Sequence, residues 1–296
     1  MKYAWMKEHR DQYSVAVMAR CLSVSRSGYY KWLKPTASPR AERSDRIRET
    51  VAKIFWDSNQ ILGSYKIAEL MQQREDLETT CRNTVAAAMR QMSLTSRVVK
   101  RFKPRTTMVD PKRPTASNLL QQSFTAEAPN EKWVADITYL KTESGWVYLA
   151  AILDLFSRKI VGWALSESLA TPLICDALRN AIEQHHPDNI DGLIHHSDRG
   201  CQYTSKMYQD TLNLLGITCS MSGKGCCYDN AVMERFFWSL KQEWTNHYVY
   251  SNLEQARLSV FQYIEVFYNR KRIHQSLGYR TPEQFEQEYL SLGTSG

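Results

Sequence analysis

Apolar positions recur at helical spacing through the first ninety residues and at strand-like density after residue 130. Over Ser14–Leu22 the residues Val15, Met18, Ala19 and Leu22 share one helical face. A polar break, Ser23-Val24-Ser25, follows, with Ser25 suited to cap a second helix over Arg26–Leu33. Two short helices across a tight polar turn fit a helix-turn-helix, whose second helix can enter a major groove. Arg26, Ser27, Tyr29, Tyr30 and Lys31 would then face DNA; a plain helical hairpin carries the same pattern. Pro35 and Pro39 mark a linker, and further helices are expected over Ala41–Ser58, Tyr65–Arg74 and Asn83–Met92. Thr79 or Thr80 is the expected cap of the last, with Val85, Met89 and Met92 as its buried stripe.

After Pro129 the pattern turns to strands. Trp133–Leu140, Gly145–Asp154 and Arg158–Leu165 are rich in β-branched and aromatic residues and lie close enough for an antiparallel meander. A helix is expected over Thr171–His185, then a strand Gly192–His196, a helix Ser205–Leu215, a strand Ile217–Met221 and a helix from Asn230 to Trp244. The sequence thus predicts helices first and a mixed α/β sheet behind them. The plan is a helix-turn-helix-like segment at 1–35, a helical DNA-binding domain at 36–96, a basic linker at 97–125, a catalytic domain at 126–290 and a flexible tail at 291–296.

Charge sharpens this division. The chain carries +7 over 296 residues, but the excess is uneven. Residues 1–130 hold 23 Lys and Arg against 12 Asp and Glu, a balance of +11, and the remainder is −4. A basic front half suggests a polyanionic partner. Seven basic residues fall between Arg97 and Arg113, among them Lys100, Arg101, Lys103 and Arg105, a strip able to neutralise phosphates. No apolar run approaches the ~20 residues of a membrane span. The N-terminus lacks a secretory pattern, and seven Cys without a C-x-x-C pair argue against a disulfide framework. The cytoplasm is the expected compartment.

The acidic half offers three carboxylates that a fold can bring together. Asp136 lies inside the apolar strand WVADITYL, an expensive place for a charge. Asp198 follows the strand GLIHH, at the end where α/β sheets place ligands. Glu234 shares a helical face with Asn230 and Lys241. Three acids at one sheet edge call for cations, and oxygen ligands suit Mg²⁺ or Mn²⁺. Two such ions can serve phosphoryl transfer on nucleic acid. The paired His195 and His196 make an improbable zinc centre, because neighbours on a strand point to opposite faces. The tryptophans at 133, 146, 163, 238 and 244 read as core or interface, and Arg270, Lys271, Arg272 and His274 as candidates to hold DNA backbone.

Together WVADITYL, HSDRGCQY (196–203), SGKGCCYDNAVMERFFWSLKQE (222–243) and YNRKRIHQSLGYRTPEQF (268–285) resemble the catalytic subunit of bacterial insertion-sequence-three family transposases, in the transposase and retroviral integrase superfamily. The resemblance implies an RNase H-like fold in which Asp136, Asp198 and Glu234 bind two Mg²⁺, with Mn²⁺ as substitute. It implies water and then a DNA 3′-OH as nucleophiles, a circular intermediate, and Lys241 contacting DNA near the scissile phosphate. It also assigns site-shaping places to Gly200, Gln202, Tyr203, Asp229 and Asn230, with His196 bordering the site. The expected partners are double-stranded DNA at the element's terminal repeats and target, and further copies of the chain. The upstream-frame protein, or a fusion to it, is a further expected partner, since such relatives commonly draw a helix-turn-helix and zipper from that frame. Leu62-Gly63-Ser64-Tyr65 departs from the aromatic-Gly-aromatic-Arg run usual in the family's middle domain. Two rivals stand beside this reading: a non-catalytic DNA-binding protein, and a nuclease acting on RNA–DNA hybrids.

Overall fold

The computed structural model describes residues 1–33, 39–74, 76–97, 116–185, 190, 192–223 and 226–293. Three short helices open the chain: α1 (Lys2–Glu8), α2 (Val15–Cys21) and α3 (Arg26–Leu33). The Ser25 hydroxyl accepts from the Gly28 amide at 2.9 Å, and Ser23 takes a left-handed φ of 52° that tightens the turn between α2 and α3. Met6, Met18, Ala19 and Tyr29 form a small core for this unit. Helix α1 escaped the pattern analysis because it buries only Met6. Tyr29 needs correction as an expected DNA contact: it is 1% exposed, against Tyr3 and Trp32, while Tyr30 beside it is exposed.

Helices α4 (Pro39–Asp57), α5 (Ser64–Gln73) and α6 (Arg82–Gln91) enclose a second core of Ile47, Val51, Phe55, Ile67, Met71, Val85 and Met89. Met92 packs at its margin. The cap of α6 is Cys81, not Thr79 or Thr80, and its side chain bonds no helix amide. The two threonine carbonyls instead accept from Arg43 and Gln72, which ties the approach to α6 onto α4 and α5.

The remaining chain builds a five-stranded sheet in the order β3-β2-β1-β4-β5, from β1 (Lys132–Thr142), β2 (Gly145–Asp154), β3 (Ile160–Ser166), β4 (Ile194–Ser197) and β5 (Thr218–Met221). The first three strands pair antiparallel as a meander; β4 and β5 add in parallel beside β1. One face packs on α7 (Thr171–His185) and α8 (Lys206–Leu214), through Trp133, Ala135, Ile152, Leu178 and Tyr208. Gly162 lets α7 approach, since a Cβ there would lie 2.4 Å from the Ala177 carbonyl. The other face carries Val134, Leu140, Leu149 and Leu153 against α9 (Ala231–Glu243), α10 (Leu253–Phe261) and a π-helical turn, Gln262–Tyr268. Helix α11 (Pro282–Gly293) closes the described chain. The segment from 116 to 125 lies on the sheet domain, where the Leu119 amide donates to Ser220 Oγ and the Arg158 guanidinium donates to the Phe124 carbonyl.

Candidate active site

Strand register brings the first two acids together. In the parallel β1–β4 pair, Val134 stands opposite His196, and the pairing stops there. Two residues beyond this pair come Asp136, still on β1, and Asp198, the first residue after β4 ends. Val134 packs toward α9, which assigns Asp136 to that face as well. The Asp136 carboxylate accepts its neighbour's amide, Ile137 N–H, at 2.8 Å, and Asp198 Oδ1 accepts from the Gly200 amide at 2.9 Å. A Cβ at Gly200 would meet Asp198 Oδ1 at 2.9 Å, so a side chain there would displace that carboxylate.

Glu234 arrives from the first turn of α9, and its neighbours fix that helix. The Asn230 side-chain amide donates to the Ala135 carbonyl at 3.0 Å, joining the start of α9 to the residue before Asp136. Asp229 is 3% exposed and accepts from the side chains of Asn118 and Gln122 and from the Gly223 amide, at 2.9, 3.1 and 2.7 Å. It thereby gathers the entry segment, the loop after β5 and the start of α9. Asn118 and Gln122 escaped the sequence analysis, because nothing local in SNLLQQ points to a partner more than a hundred residues away.

The acids share one electrostatic neighbourhood. Burial, then the Asp198 charge, with a smaller part from Glu234, pushes the Asp136 carboxyl up to about 8, while Lys241 opposes the rise. Burial also raises Glu234, which keeps an exposed side chain. Lys241, two turns along α9, is lowered by burial and raised in part by Asp136. Its ammonium lies 4.3 Å from the centre of the Tyr139 ring. Tyr203 is buried, and after burial the charges of Asp136 and then Asp198 hold its hydroxyl well above the ordinary value. The Gln202 amide donates to the Leu169 carbonyl at 3.2 Å. Strand alternation separates the two histidines: His195 Nε2 meets the Tyr208 hydroxyl at 3.1 Å, whereas His196 contacts Ser220 Oγ at 2.8 Å and Ser222 Oγ at 3.2 Å.

Other sequence candidates separate from this cluster. Arg26 and Lys31 are exposed on α3, and Lys100, Arg101, Lys103 and Arg105 lie outside the described residues. Arg272 is buried instead of facing DNA. It forks onto Glu243 at 2.6 and 2.7 Å, and Tyr263 donates to the same carboxylate at 2.8 Å. His274 stands 3.3 Å from Arg272. Trp133 and Trp244 are core, but Trp146 is 51% exposed and is not.

The donor set suits a hard divalent cation. Among the described residues no three His, Cys, Asp or Glu side chains close around a common point. The charges of Asp198 and Glu234 nevertheless raise Asp136, and both ring nitrogens of the neighbouring His196 are engaged by serines. An oxygen-only set of mutually repelling carboxylates beside a sheet edge is what Mg²⁺ or Mn²⁺ takes, with waters and phosphate completing the shell.

Three comparisons bear on identity. Integrase core domain models match residues 126–227 and 215–282, and an HTH-like domain model matches 42–102. The transposase InsF for insertion sequence IS3A of Escherichia coli (strain K12) is 40% identical over 295 residues, covering 98% of this chain and all of that protein. A 31 kDa protein of insertion element IS600 from Shigella sonnei is 36% identical over 275 residues, covering 93% of this chain and 99% of its own. The HTLV-2 integrase catalytic core, solved with magnesium, covers 54% of this chain and 99% of its own at 16% identity, with a TM-score of 0.42, too loose a likeness to carry an argument. Full-length identity at this level, on a chain whose HTH-like and integrase core regions both match, places the protein in the IS3 family of transposases.

Proposed function

We propose that this transposase cuts and joins DNA by metal-dependent phosphoryl transfer at Asp136, Asp198 and Glu234. The observation that carries the reading is the register that sets Asp136 beside Asp198 under the helix bearing Glu234. Two Mg²⁺ ions, replaceable by Mn²⁺, would supply Lewis-acid activation of the attacking oxygen and stabilisation of the leaving one. The chain's own residues do the rest. The carboxylates hold the cations. Lys241 offers a cation to the phosphate flanking the cut, and Asn230, Asp229, Gly200, Gln202, Tyr203 and His196 keep the acids in place. Arg26 and Lys31 on α3, with the strip that includes Lys100, Arg101, Lys103 and Arg105, neutralise DNA backbone, so binding falls steeply with salt. The substrates are the element's terminal repeats and target DNA, joined through a circular intermediate by several copies of the chain on paired ends, with the upstream-frame region as a further partner. Among the described residues no helix is long and apolar enough to cross a membrane, and the reading places the chain on DNA in the cytoplasm.

The test is strand cleavage and joining with element-end DNA in Mg²⁺. Asp136→Asn should lower the rate by at least a thousandfold while DNA affinity stays within about threefold. Equal rates in the variant, or activity in excess chelator, would overturn the mechanism.

A further inference from the structure

Helix α6 turns a polar row away from the core it helps to build. Val85, Ala88 and Met89 are buried against α4 and α5. On the opposite side Asn83 and Arg90 are exposed, with the half-buried Ala86 and Ala87 between them. Positions 83, 86, 87 and 90 follow helical spacing and so share one face. The flanks of that face are engaged. Arg82 lies over the Tyr65 ring at 5.6 Å, Thr84 Oγ1 meets Cys81 Sγ at 3.3 Å, and Gln91 Oε1 accepts from Arg48 at 3.5 Å. Among the described residues the side chains of Asn83 and Arg90 make no hydrogen bond or ion pair.

The charge of this row differs from that of the helices around it. Arg43 and Arg46 pair with Glu78, Arg48 with Asp45, and Arg74 with Asp76. Helix α6, RNTVAAAMRQ, contains no acid, and beyond it the chain runs into the basic strip that opens at Arg97. A lone exposed arginine is an ordinary surface residue. This one shares a face with an exposed asparagine and two methyl groups. Those are side chains that read base edges: Arg forks onto guanine O6 and N7, Asn onto adenine N6 and N7, and Ala meets the thymine methyl. The small alanines let the helix axis come close enough for both polar side chains to reach. Seven helical steps cover about 10 Å, which is about three base pairs at ~3.4 Å each. The major groove admits a helix and presents each base pair as a distinct pattern. The occupant that fits this face is therefore duplex DNA, met at its base edges.

We propose that α6 reads sequence in the major groove, with Arg90 on a guanine and Asn83 on an adenine about three base pairs away. This rests on the proposed binding of element ends, and it names residues that tell those ends from other DNA. The contacts proposed for α3 and the basic strip hold backbone, which carries no sequence by itself.

The test is selection from a pool of duplexes randomised over about twelve base pairs, bound by the full chain in chelator so that no strand is cut. The wild-type chain should enrich a motif with a guanine and an adenine about three base pairs apart. Arg90→Lys keeps the charge but loses the fork, so it should lose the guanine alone. Asn83→Ala should lose the adenine alone. Each variant should bind the wild-type motif on the order of tenfold more weakly. Affinity for unselected duplex should stay within about twofold, and Tm should not move, because both side chains are exposed. An unchanged motif in both variants would overturn the reading face, as would a wild-type chain that enriches no motif. Equal losses on selected and unselected duplex would overturn it too, since they mark a phosphate contact. A chain whose motif depends on Arg90 and Asn83, but which joins no strands in Mg²⁺, would overturn the cutting site and support this face.

Discussion

Asp136 and Asp154 are both acids in the sheet, and their surroundings separate their roles. Asp154, at the end of β2, accepts from the Asn130 amide at 3.1 Å and from the amide and hydroxyl of Ser157, each at 2.8 Å. It is a structural acid that organises the turn into β3. Burial outweighs these donors and pushes its carboxyl up to about 6. The native chain therefore binds this proton more tightly than the unfolded chain does, and the stability Asp154 contributes is full below about pH 4 and lost as pH rises through 6. The Tm difference between Asp154→Asn and wild type should shift in favour of the variant between pH 4 and 6, then level off. A constant difference across that range would show that the carboxyl is not perturbed. Asp136 stands out in the sequence because an acid amid WVADITYL has few innocent explanations, and its role in cutting is the proposal made above. Asp229 was legible as a position but not as a hub, because the groups it collects are contributed by three distant segments.

At the scale of elements, periodicity located the helices α2 to α9 and all five strands to within a few residues. What it could not give was the stretch beyond Tyr248. There α10 runs into a π-helical turn that buries Tyr263, Ile264, Phe267 and Tyr268, so no clean helical stripe survives in the sequence. The motif YNRKRIHQSLGYRTPEQF was visible, but its basic residues suggested DNA. Arg272 instead completes a buried fork on Glu243, with burial opposing and Glu243 sustaining its charge. Removing one partner of a buried pair leaves the other uncompensated. Arg272→Ala should therefore destabilise by about 3–5 kcal/mol, measured by urea denaturation, with Glu243→Gln in the same background recovering part of the loss. A cost near zero would mean that the pair is solvated.

Across the whole molecule, the same motif joins the helical and sheet domains. Lys66 on α5 donates to the Ile273 carbonyl at 3.3 Å, Gln73 donates to the Gly278 carbonyl at 3.2 Å, and the Tyr279 hydroxyl donates to that of Tyr65 at 2.9 Å. Ile61 and Leu120 reach into the core beneath the sheet. Lys66 is largely enclosed there, and burial with the Arg272 charge lowers its ammonium to about 8. The departure at Leu62-Gly63-Ser64-Tyr65 thus falls on a docking seam, and one of the seam's hydrogen bonds comes from Tyr65 within that run. Double substitution of Lys66→Ala and Tyr65→Phe should loosen that seam: limited proteolysis between the domains should quicken several-fold while the urea transition of the sheet domain stays in place. Unchanged proteolysis would show that other contacts carry the seam.

The register of β1 on β4 has a consequence for when the molecule becomes dangerous. The two strands meet across sixty-two positions of chain, and a slip of one residue would turn Asp136 and Asp198 to opposite faces. Glu234 enters only after a further thirty-six positions have been made and α9 has docked. On the proposed reading, a growing chain carries its basic front half before it owns a blade, and cutting competence comes last, as a property of completed pairing.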